Sequence, residues 1–383
     1  MKKRLLTVQG PLQFITGHIA HTWQAPRTGT ESTLLLYDFL CPAEVENQIA
    51  DAVSSLSGTQ GWKRIVHVRG EQMDALMRRR YSDSIAGLKA LIGESSFDDV
   101  FLARDHVGNG SALLLNAYPE ARKHSYGDSF GLVGQHEAMA RLEGPRRLRD
   151  RLRSLGRRLL LGGPAAIAFD DAVLSLPIDL SGKYLRHTPL VVPSHAHVVQ
   201  TVEAIYAQLP ELRDYCDELR IRSAGRKSPL YLLSNLAGSG LSTVDQEVAL
   251  YLEVIRSHSR PGETLFIKPH PRSSFEFLQA IREPLQADHD VVVIDDSRFA
   301  RMPIELWMGL LSHCNLVAMF STSCINLKYL YGKEVVLPLD DDRMRRYLHV
   351  SATEHVASGY RMMKQALLNL DRWDGASPLW SAS

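Results

Sequence analysis

The sequence predicts an α/β protein of two doubly wound domains that face a central cleft. Short apolar runs alternate with segments of helical periodicity along all 383 residues. This alternation is typical of parallel sheets covered by helices on both faces. It is interrupted around Pro177, Pro189 and Pro193 and then begins again, which indicates a link between two domains.

We place the first domain at 1–185, the second at 186–350, and a closing helix and tail at 351–383. In the first half, strands are predicted at Leu5–Val8, Leu34–Phe39, Arg64–Val68 and Val100–Ala103, and helices near 43–57, 71–92, 110–118 and 145–161. In the second half, strands are predicted at Leu230–Leu233, Leu265–Lys268, Val291–Ile294, Leu316–Phe320 and Val335–Pro338, and helices at His197–Gln208, Thr243–Ser257, Phe275–Arg282 and His355–Asn369.

The amino-acid composition of the chain narrows the classes of molecule that the protein is expected to bind. Hydrophobic residues make up 45% of the chain, charged residues 23%, and the net charge is +1. No strong overall field therefore favours nucleic acid. The chain has no apolar run near the ~20 residues of a membrane span and only a short apolar stretch after its basic start, so we expect a soluble cytoplasmic protein. The cysteines, which lack metal-ligand spacing, predict buried free thiols: Cys41, Cys216, Cys314 and Cys324.

One predicted strand ends in an unusual polar sequence, Lys268, Pro269, His270, Pro271 and Arg272. The prolines fix φ on both sides of the imidazole and stiffen the loop that presents it. In an open α/β sheet, ligands bind where strands end. The two flanking cations favour a phosphate over a metal ion, and the alternative is a structural histidine at a strand end.

A second strand, 316–320, ends in Ser321, Thr322 and Ser323, and a helix is predicted to follow. Hydroxyl groups and free backbone N–H groups at a helix N-terminus suit an anion. Simple N-capping is the alternative explanation. Because this element and the His270 loop end two strands of one domain, we predict a phosphate site.

Three further residues are candidates for binding other parts of a phosphate-containing ligand. Glu305 follows Pro303 near a helix start, where it either accepts hydrogen bonds from two ribose hydroxyls or simply complements the helix dipole. Ser234 and Asn235 end the first strand of the second domain, and an asparagine amide there suits the edge of a base.

The segment 145–161 combines a leucine stripe with seven arginines between Arg146 and Arg158. This pattern fits an amphipathic helix docked on its own domain. It also fits a helix that contacts an anionic membrane, such as the inner face of the plasma membrane, or an anionic glycan.

The His-Pro motif at 270–271, the Ser/Thr residues after a strand and the Pro-x-Glu at 303–305 together resemble bacterial sialyltransferases and polysialyltransferases. The resemblance covers roughly residues 95–340 and rests on short motifs in the right order. It implies a GT-B fold, CMP-activated sialic acid as donor, no cofactor, and contact between His270 and the CMP phosphate. These enzymes also carry an acidic-Asp-Gly motif whose Asp is the general base.

The counterpart of that last motif is 126–131, where Gly127 and Ser129 flank Asp128. The resemblance therefore suggests Asp128 as general base, although Ser129 stands where glycine is usual. Another candidate group is Arg104, Asp105 and His106, which ends the strand 100–103 and would contact the acceptor or supply the base. We favour Asp128 because Gly127 and Gly131 on either side of it allow close approach of a substrate.

These observations predict an inverting, metal-independent glycosyltransferase that moves sialic acid, or a related nonulosonic acid, from a CMP-linked donor to a glycan hydroxyl in surface-polymer synthesis. CMP-Kdo and CDP-glycerol transferases are alternatives in the same class. CDP-glycerol polymerases tend to have an acidic residue where this chain has Asn326. A nucleotide-binding scaffold of a glycan assembly complex is the alternative of another class, favoured by the altered motif around Asp128.

Overall fold

The computed structural model describes residues 1–24, 29–37, 43–58, 61–103, 109–128, 169–179, 188–223, 226–375 and 380–381. The described chain forms two compact units. Unit 1 comprises Met1–Thr201 and the C-terminal strand Trp380–Ser381, and unit 2 comprises Val202–Ala376. The boundaries that we drew at 185–186 and 350–351 remain assignments from the sequence.

Unit 1 contains a seven-stranded parallel sheet in the order β3-β2-β1-β4-β5-β6-β8. Its strands are β1 (Lys2–Val8), β2 (Thr30–Tyr37), β3 (Arg64–Val68), β4 (Asp99–Ala103), β5 (Arg122–Gly127), β6 (Asp171–Leu174) and β8 (Leu190–Val191). A short separate pair consists of β7 (Ile178–Asp179) and β14 (Trp380–Ser381). The described helices are α1 (Pro11–Trp23), α2 (Ala43–Ser57), α3 (Gly70–Met77), α4 (Tyr81–Ile92), α5 (Asn109–Ala117) and the start of α6 (His195–Ala207).

Unit 2 contains a five-stranded parallel sheet in the order β11-β10-β9-β12-β13. Its strands are β9 (Ser228–Leu232), β10 (Thr264–Lys268), β11 (Asp290–Val293), β12 (Cys314–Ala318) and β13 (Val335–Val336). Its further helices are α7 (Pro210–Arg222), α8 (Val244–His258), α9 (Phe275–Leu285), α10 (Met308–Leu311), α11 (Ser323–Tyr331), α12 (Asp341–Tyr347) and α13 (Val350–Leu370), with 3₁₀ turns at Ala237–Ser239 and Ile304–Leu306.

In both sheets the first strand lies in the middle and later strands extend the sheet on either side of it. Chain order therefore reverses beside β1 in unit 1 and beside β9 in unit 2. Such a reversal creates a crevice at the carboxyl ends of the strands, where doubly wound proteins bind ligands. The sequence prediction of two doubly wound α/β domains is confirmed.

A buried chain of charges crosses the amino end of the unit 1 sheet. Arg4 Nε lies 3.1 Å from Asp99 Oδ2, and His124 lies 3.4 Å from Asp99 and 2.8 Å from Asp171. Burial alone would raise the pKa of Asp99, but hydrogen bonds from His124 and Lys2 and the charge of Arg4 outweigh it and lower that pKa. Burial would lower the pKa of His124, but both carboxylates raise it. Burial lowers the pKa of Arg4 even though Asp99 acts against it. These contacts link β1, β4, β5 and β6 across the sheet.

Candidate active site

Three neighbouring strands of unit 2 end at the same level. Leu232, the last residue of β9, pairs with Lys268 at the end of β10 and with Ala318 at the end of β12. The loop that carries His270 and the turn Ser321–Ser323 therefore leave the sheet on either side of the β9 end. The predicted phosphate-binding elements thus follow the two strands that flank β9.

Ser234 joins the ends of β9 and β12. Its hydroxyl donates to the Phe320 carbonyl at 2.9 Å and lies 3.3 Å from the Phe320 backbone nitrogen. Its own backbone N–H donates to the hydroxyl of Tyr251 on α8, which is fully buried. Ser234 is itself buried, so its described contacts hold the crevice together.

His270 occupies the first position of a tight turn. The Ser273 N–H donates to the His270 carbonyl at 2.9 Å, and the Arg272 N–H donates to His270 Nδ1 at 3.1 Å. Burial and the charges of Arg272 and Lys268 lower the pKa of His270 to about 4. At neutral pH the imidazole is therefore uncharged, and because Nδ1 accepts a hydrogen bond, Nε2 carries the proton. Pro271 and Arg272 are exposed.

Lys268 lies beneath this turn. Its side chain is buried, its ammonium donates to the Ala300 carbonyl, and it lies 5.3 Å from the centroid of the Trp307 ring. Burial and the charge of Arg301 lower the pKa of Lys268 to about 7, although Glu305 acts in the opposite direction. Lys268 therefore fixes the base of the loop from inside the unit.

Glu305 is also interior, with 2% exposure. Its Oε1 accepts from Asn326 Nδ2 at 2.8 Å, and its backbone carbonyl accepts from the Tyr331 hydroxyl at 2.6 Å. Asn326 and Tyr331 both belong to α11. The carboxylate thus orients the helix that begins at the Ser321–Ser323 turn, and its predicted contact with ribose remains a prediction.

The Ser321–Ser323 turn is half-buried and leads directly into α11. The Cys324 and Ile325 N–H groups donate to the Ser321 and Thr322 carbonyls. The N-cap residue Thr322 makes no side-chain capping bond to the described residues of this helix. Hydroxyl groups at the N-terminus of a nine-residue helix give this edge a favourable setting for an anion.

The loop after β9 directs three backbone N–H groups inward to α8. Ser234 donates to Tyr251, while Leu236 and Ala237 donate to the two carboxylate oxygens of Glu247 at 2.9 and 2.8 Å. Burial raises the pKa of Glu247, although these two donors act against it. These three N–H groups are therefore already bonded to α8, and the contact of Asn235 with a base remains a prediction.

The position of the Asn235 side chain depends on Gly238, three residues later in the chain. A Cβ atom at Gly238 would lie 2.4 Å from Asn235 Oδ1 and would displace the amide. The Asn235 carbonyl also accepts from the Ser239 N–H at 3.1 Å, which closes the turn around it.

In unit 1, Asp128 directly follows β5 and is partly exposed. The preceding carbonyl of Gly127 accepts from the backbone N–H of Ser175 at 3.1 Å and from its hydroxyl at 3.3 Å. A Cβ atom at Gly127 would meet no described atom within 4 Å. Arg104, Asp105, His106 and the segment 145–161 lie outside the described residues.

Glu247, Tyr251 and Arg301 are site residues that sequence reasoning missed. Glu247 and Tyr251 have helical spacing on α8, but nothing in that spacing indicates a bond to a loop. Arg301 donates to the Pro271 carbonyl across 30 positions of sequence. Contacts over such distances leave no periodic signal.

The described residues contain no group of three or more His, Cys, Asp or Glu side chains placed to hold a metal ion. Among them, no helix is long and apolar enough to cross a membrane. Cys216, Cys314 and Cys324 are buried free thiols, as predicted, and burial raises the pKa of each to about 12. Cys41 lies outside the described residues.

The fold of the described chain is that of GT-B-type enzymes. A UDP-GlcNAc 2-epimerase from Neisseria meningitidis bound to UDP-GlcNAc is 14% identical, with a TM-score of 0.51 over 98% of this chain and 94% of that one. An S. aureus MnaA–UDP complex is 11% identical, with a TM-score of 0.53 over 100% and 93%. At such low identity the likeness establishes the fold alone, and it confirms the predicted fold class.

Residues 180–339 match the model of the alpha-2,8-polysialyltransferase family. The match includes the His270 loop, Glu305 and the Ser321–Ser323 turn. It confirms the resemblance to bacterial polysialyltransferases, and with it the glycosyltransferase class. No curated protein sequence is significantly similar to this chain.

Replacing Lys268 with Met should change how stability depends on pH. Unfolding returns the lysine pKa from about 7 to its ordinary 10.5, so between these values the unfolded wild-type chain binds more protons. Wild-type stability should therefore rise with pH across this interval relative to Lys268→Met. Urea denaturation of both proteins between about pH 7 and about pH 10 measures the difference. A difference that is constant with pH would contradict the lowered pKa of Lys268.

Proposed function

We propose that the protein is an inverting, metal-independent glycosyltransferase. It moves sialic acid, or a related nonulosonic acid, from a CMP-linked donor to a hydroxyl of a glycan acceptor. The observation that carries this proposal is the common level of the β9, β10 and β12 ends, with a neutral His270 after β10 and a hydroxyl-rich helix N-terminus after β12. The family match over the same segment supports sialyl transfer.

In the proposed reaction, Asp128 removes the proton from the acceptor hydroxyl. The acceptor oxygen forms a bond to the anomeric carbon of the donor while the bond from that carbon to the CMP phosphate breaks. A single displacement inverts the anomeric configuration. The negative charge gained by the phosphate is stabilised by groups already in place at the strand ends.

His270 contributes a neutral hydrogen bond from Nε2. Its low pKa keeps it from acting as an imidazolium before the donor binds. As charge develops on the phosphate oxygen, a donor fixed by a rigid turn strengthens its bond without reorganising. The Ser321–Ser323 hydroxyls and exposed Arg272 provide the remaining polar and positive groups.

Calorimetry with CMP, UDP and CDP-glycerol, followed by assays with CMP-sialic acid, tests the proposal. We expect CMP to bind selectively and donor turnover to persist in excess EDTA. Loss of turnover that Mg²⁺ or Mn²⁺ restores would contradict the metal-independent mechanism. Preference for CDP-glycerol would select that transferase class, turnover of CMP-Kdo alone would select a Kdo transferase, and CMP binding without any turnover would select the scaffold.

Replacing His270 with Ala should lower kcat by about a hundredfold or more, the typical effect of losing a donor to developing charge. His270→Gln is the matched variant, because its amide keeps a neutral N–H donor. We expect it to retain more activity than His270→Ala in the same donor assay. Equal activity of His270→Ala and the wild type would show that the imidazole is structural.

Replacing Asp128 with Asn should leave CMP binding unchanged and abolish transfer to the acceptor, because the amide cannot take up the proton. Asp105→Asn is the matched comparison, since Asp105 is the rival candidate. Calorimetry and product analysis on both variants decide between them. Transfer by Asp128→Asn together with an inactive Asp105→Asn would move the base to Asp105.

A second candidate binding region for the acceptor is the segment 145–161. Binding of an anionic glycan or an anionic membrane through 145–161 remains a prediction from the arginine-rich sequence. Replacement of these arginines would leave the strand-end residues of unit 2 unaltered.

A further inference from the structure

The turn that carries His270 is held by a second turn, residues 296–302. Two hydrogen bonds run between them in opposite directions. Lys268 donates from β10 to the Ala300 carbonyl, and Arg301 Nη1 donates back to the Pro271 carbonyl. The His270 loop is therefore fastened on both sides of the imidazole.

The second turn is itself rigid. Asp296 accepts from the Arg298 side chain at 3.1 and 2.8 Å, and its carbonyl accepts from the backbone of Phe299 and Ala300. The Phe299 ring is buried and stacks on Tyr215 of α7 at 5.0 Å. Arg301 thus extends from a fixed support.

The two hydrogen bonds around residue 271 involve one peptide group. The carbonyl of Pro271, which accepts from Arg301, and the N–H of Arg272, which donates to His270 Nδ1, belong to the same planar unit. Fixing the oxygen therefore fixes the direction of the N–H. A cationic donor at the oxygen also polarises the amide and makes its N–H a better donor.

We propose that Arg301 is a positioning residue for His270, acting through the Pro271–Arg272 peptide to hold the imidazole in its Nε2–H form. The proposal gives His270 a defined donor nitrogen before any ligand binds. It also explains why a partly buried arginine contacts a carbonyl in this loop. The expected effect of Arg301 on kcat rests on the proposed function, whereas its expected effect on the tautomer of His270 does not.

Among the described residues, Arg272 on its own turn and Lys268 at the end of β10 act on the charge of the imidazole, and Arg301 on the neighbouring turn contacts the Pro271 carbonyl. An N–H directed at Nδ1 opposes protonation of that nitrogen. Loss of Arg301 should therefore loosen the peptide, allow the Nδ1–H tautomer and make His270 easier to protonate. Arg301→Lys keeps a cationic donor, and Arg301→Gln keeps only a neutral one.

The test is ¹⁵N NMR of the histidine rings in the ligand-free full chain, with His270 assigned by the loss of its signals in His270→Gln. We expect the wild type and Arg301→Lys to show the Nε2–H form, and Arg301→Leu to show a mixture of tautomers. Arg301→Gln should lie between them and serves in its place if the Leu variant does not fold. Arg256→Gln removes an exposed cation of α8, away from both turns, and should match the wild type.

The second experiment measures the steady-state kinetics of these variants with CMP-sialic acid. Arg301→Leu should lower kcat about tenfold, equivalent to about 1.4 kcal/mol, with little change in KM or in CMP affinity. An unchanged tautomer in Arg301→Leu overturns the proposal, as does loss of CMP affinity without a tautomer change, which would make Arg301 a ligand contact. A shifted tautomer in a protein without transferase activity would retain the positioning role and reject the proposed function instead.

Discussion

The site depends on the pairing of one strand with its two neighbours. Because Leu232 faces Lys268 on one side and Ala318 on the other, the backbones beyond β9, β10 and β12 leave the sheet together. A shift of one residue in either pairing would move every side chain of that strand to the opposite face of the sheet and disrupt the packing on both faces. The packing of the core thus fixes the spacing between the His270 loop and the Ser321–Ser323 turn.

Buried side chains of unit 2 orient the groups that follow these strand ends. Lys268 and Glu305 carry charges that would bind ligands well at a surface, yet both are buried and contact protein groups. Their contacts orient the two elements that meet at the edge. The chemistry is assigned to less buried groups, a neutral imidazole and hydroxyls, whose directions the interior determines.

Much of the fold follows from local sequence, because strands buried on both faces appear as continuous apolar runs that polar turns separate. The single helix expected near 71–92 is two helices, α3 and α4. Gly87 permits their contact, since a Cβ there would lie 2.6 Å from Leu76 Cδ2, and the Ser84 hydroxyl donates to the Leu76 carbonyl at 2.7 Å. The motifs located His270 and Ser321–Ser323 at strand ends, but the burial of Lys268 depends on partners distant in sequence.

The conformation of the loop after β9 depends on helix α8. Glu247 and Tyr251 take up the N–H groups of Leu236, Ala237 and Ser234, so the loop takes its shape from the helix as much as from its own residues. Grafting the loop alone onto a related enzyme would leave those donors unsatisfied inside the protein. An exchange of this loop between related proteins must therefore transfer residues 233–251 together.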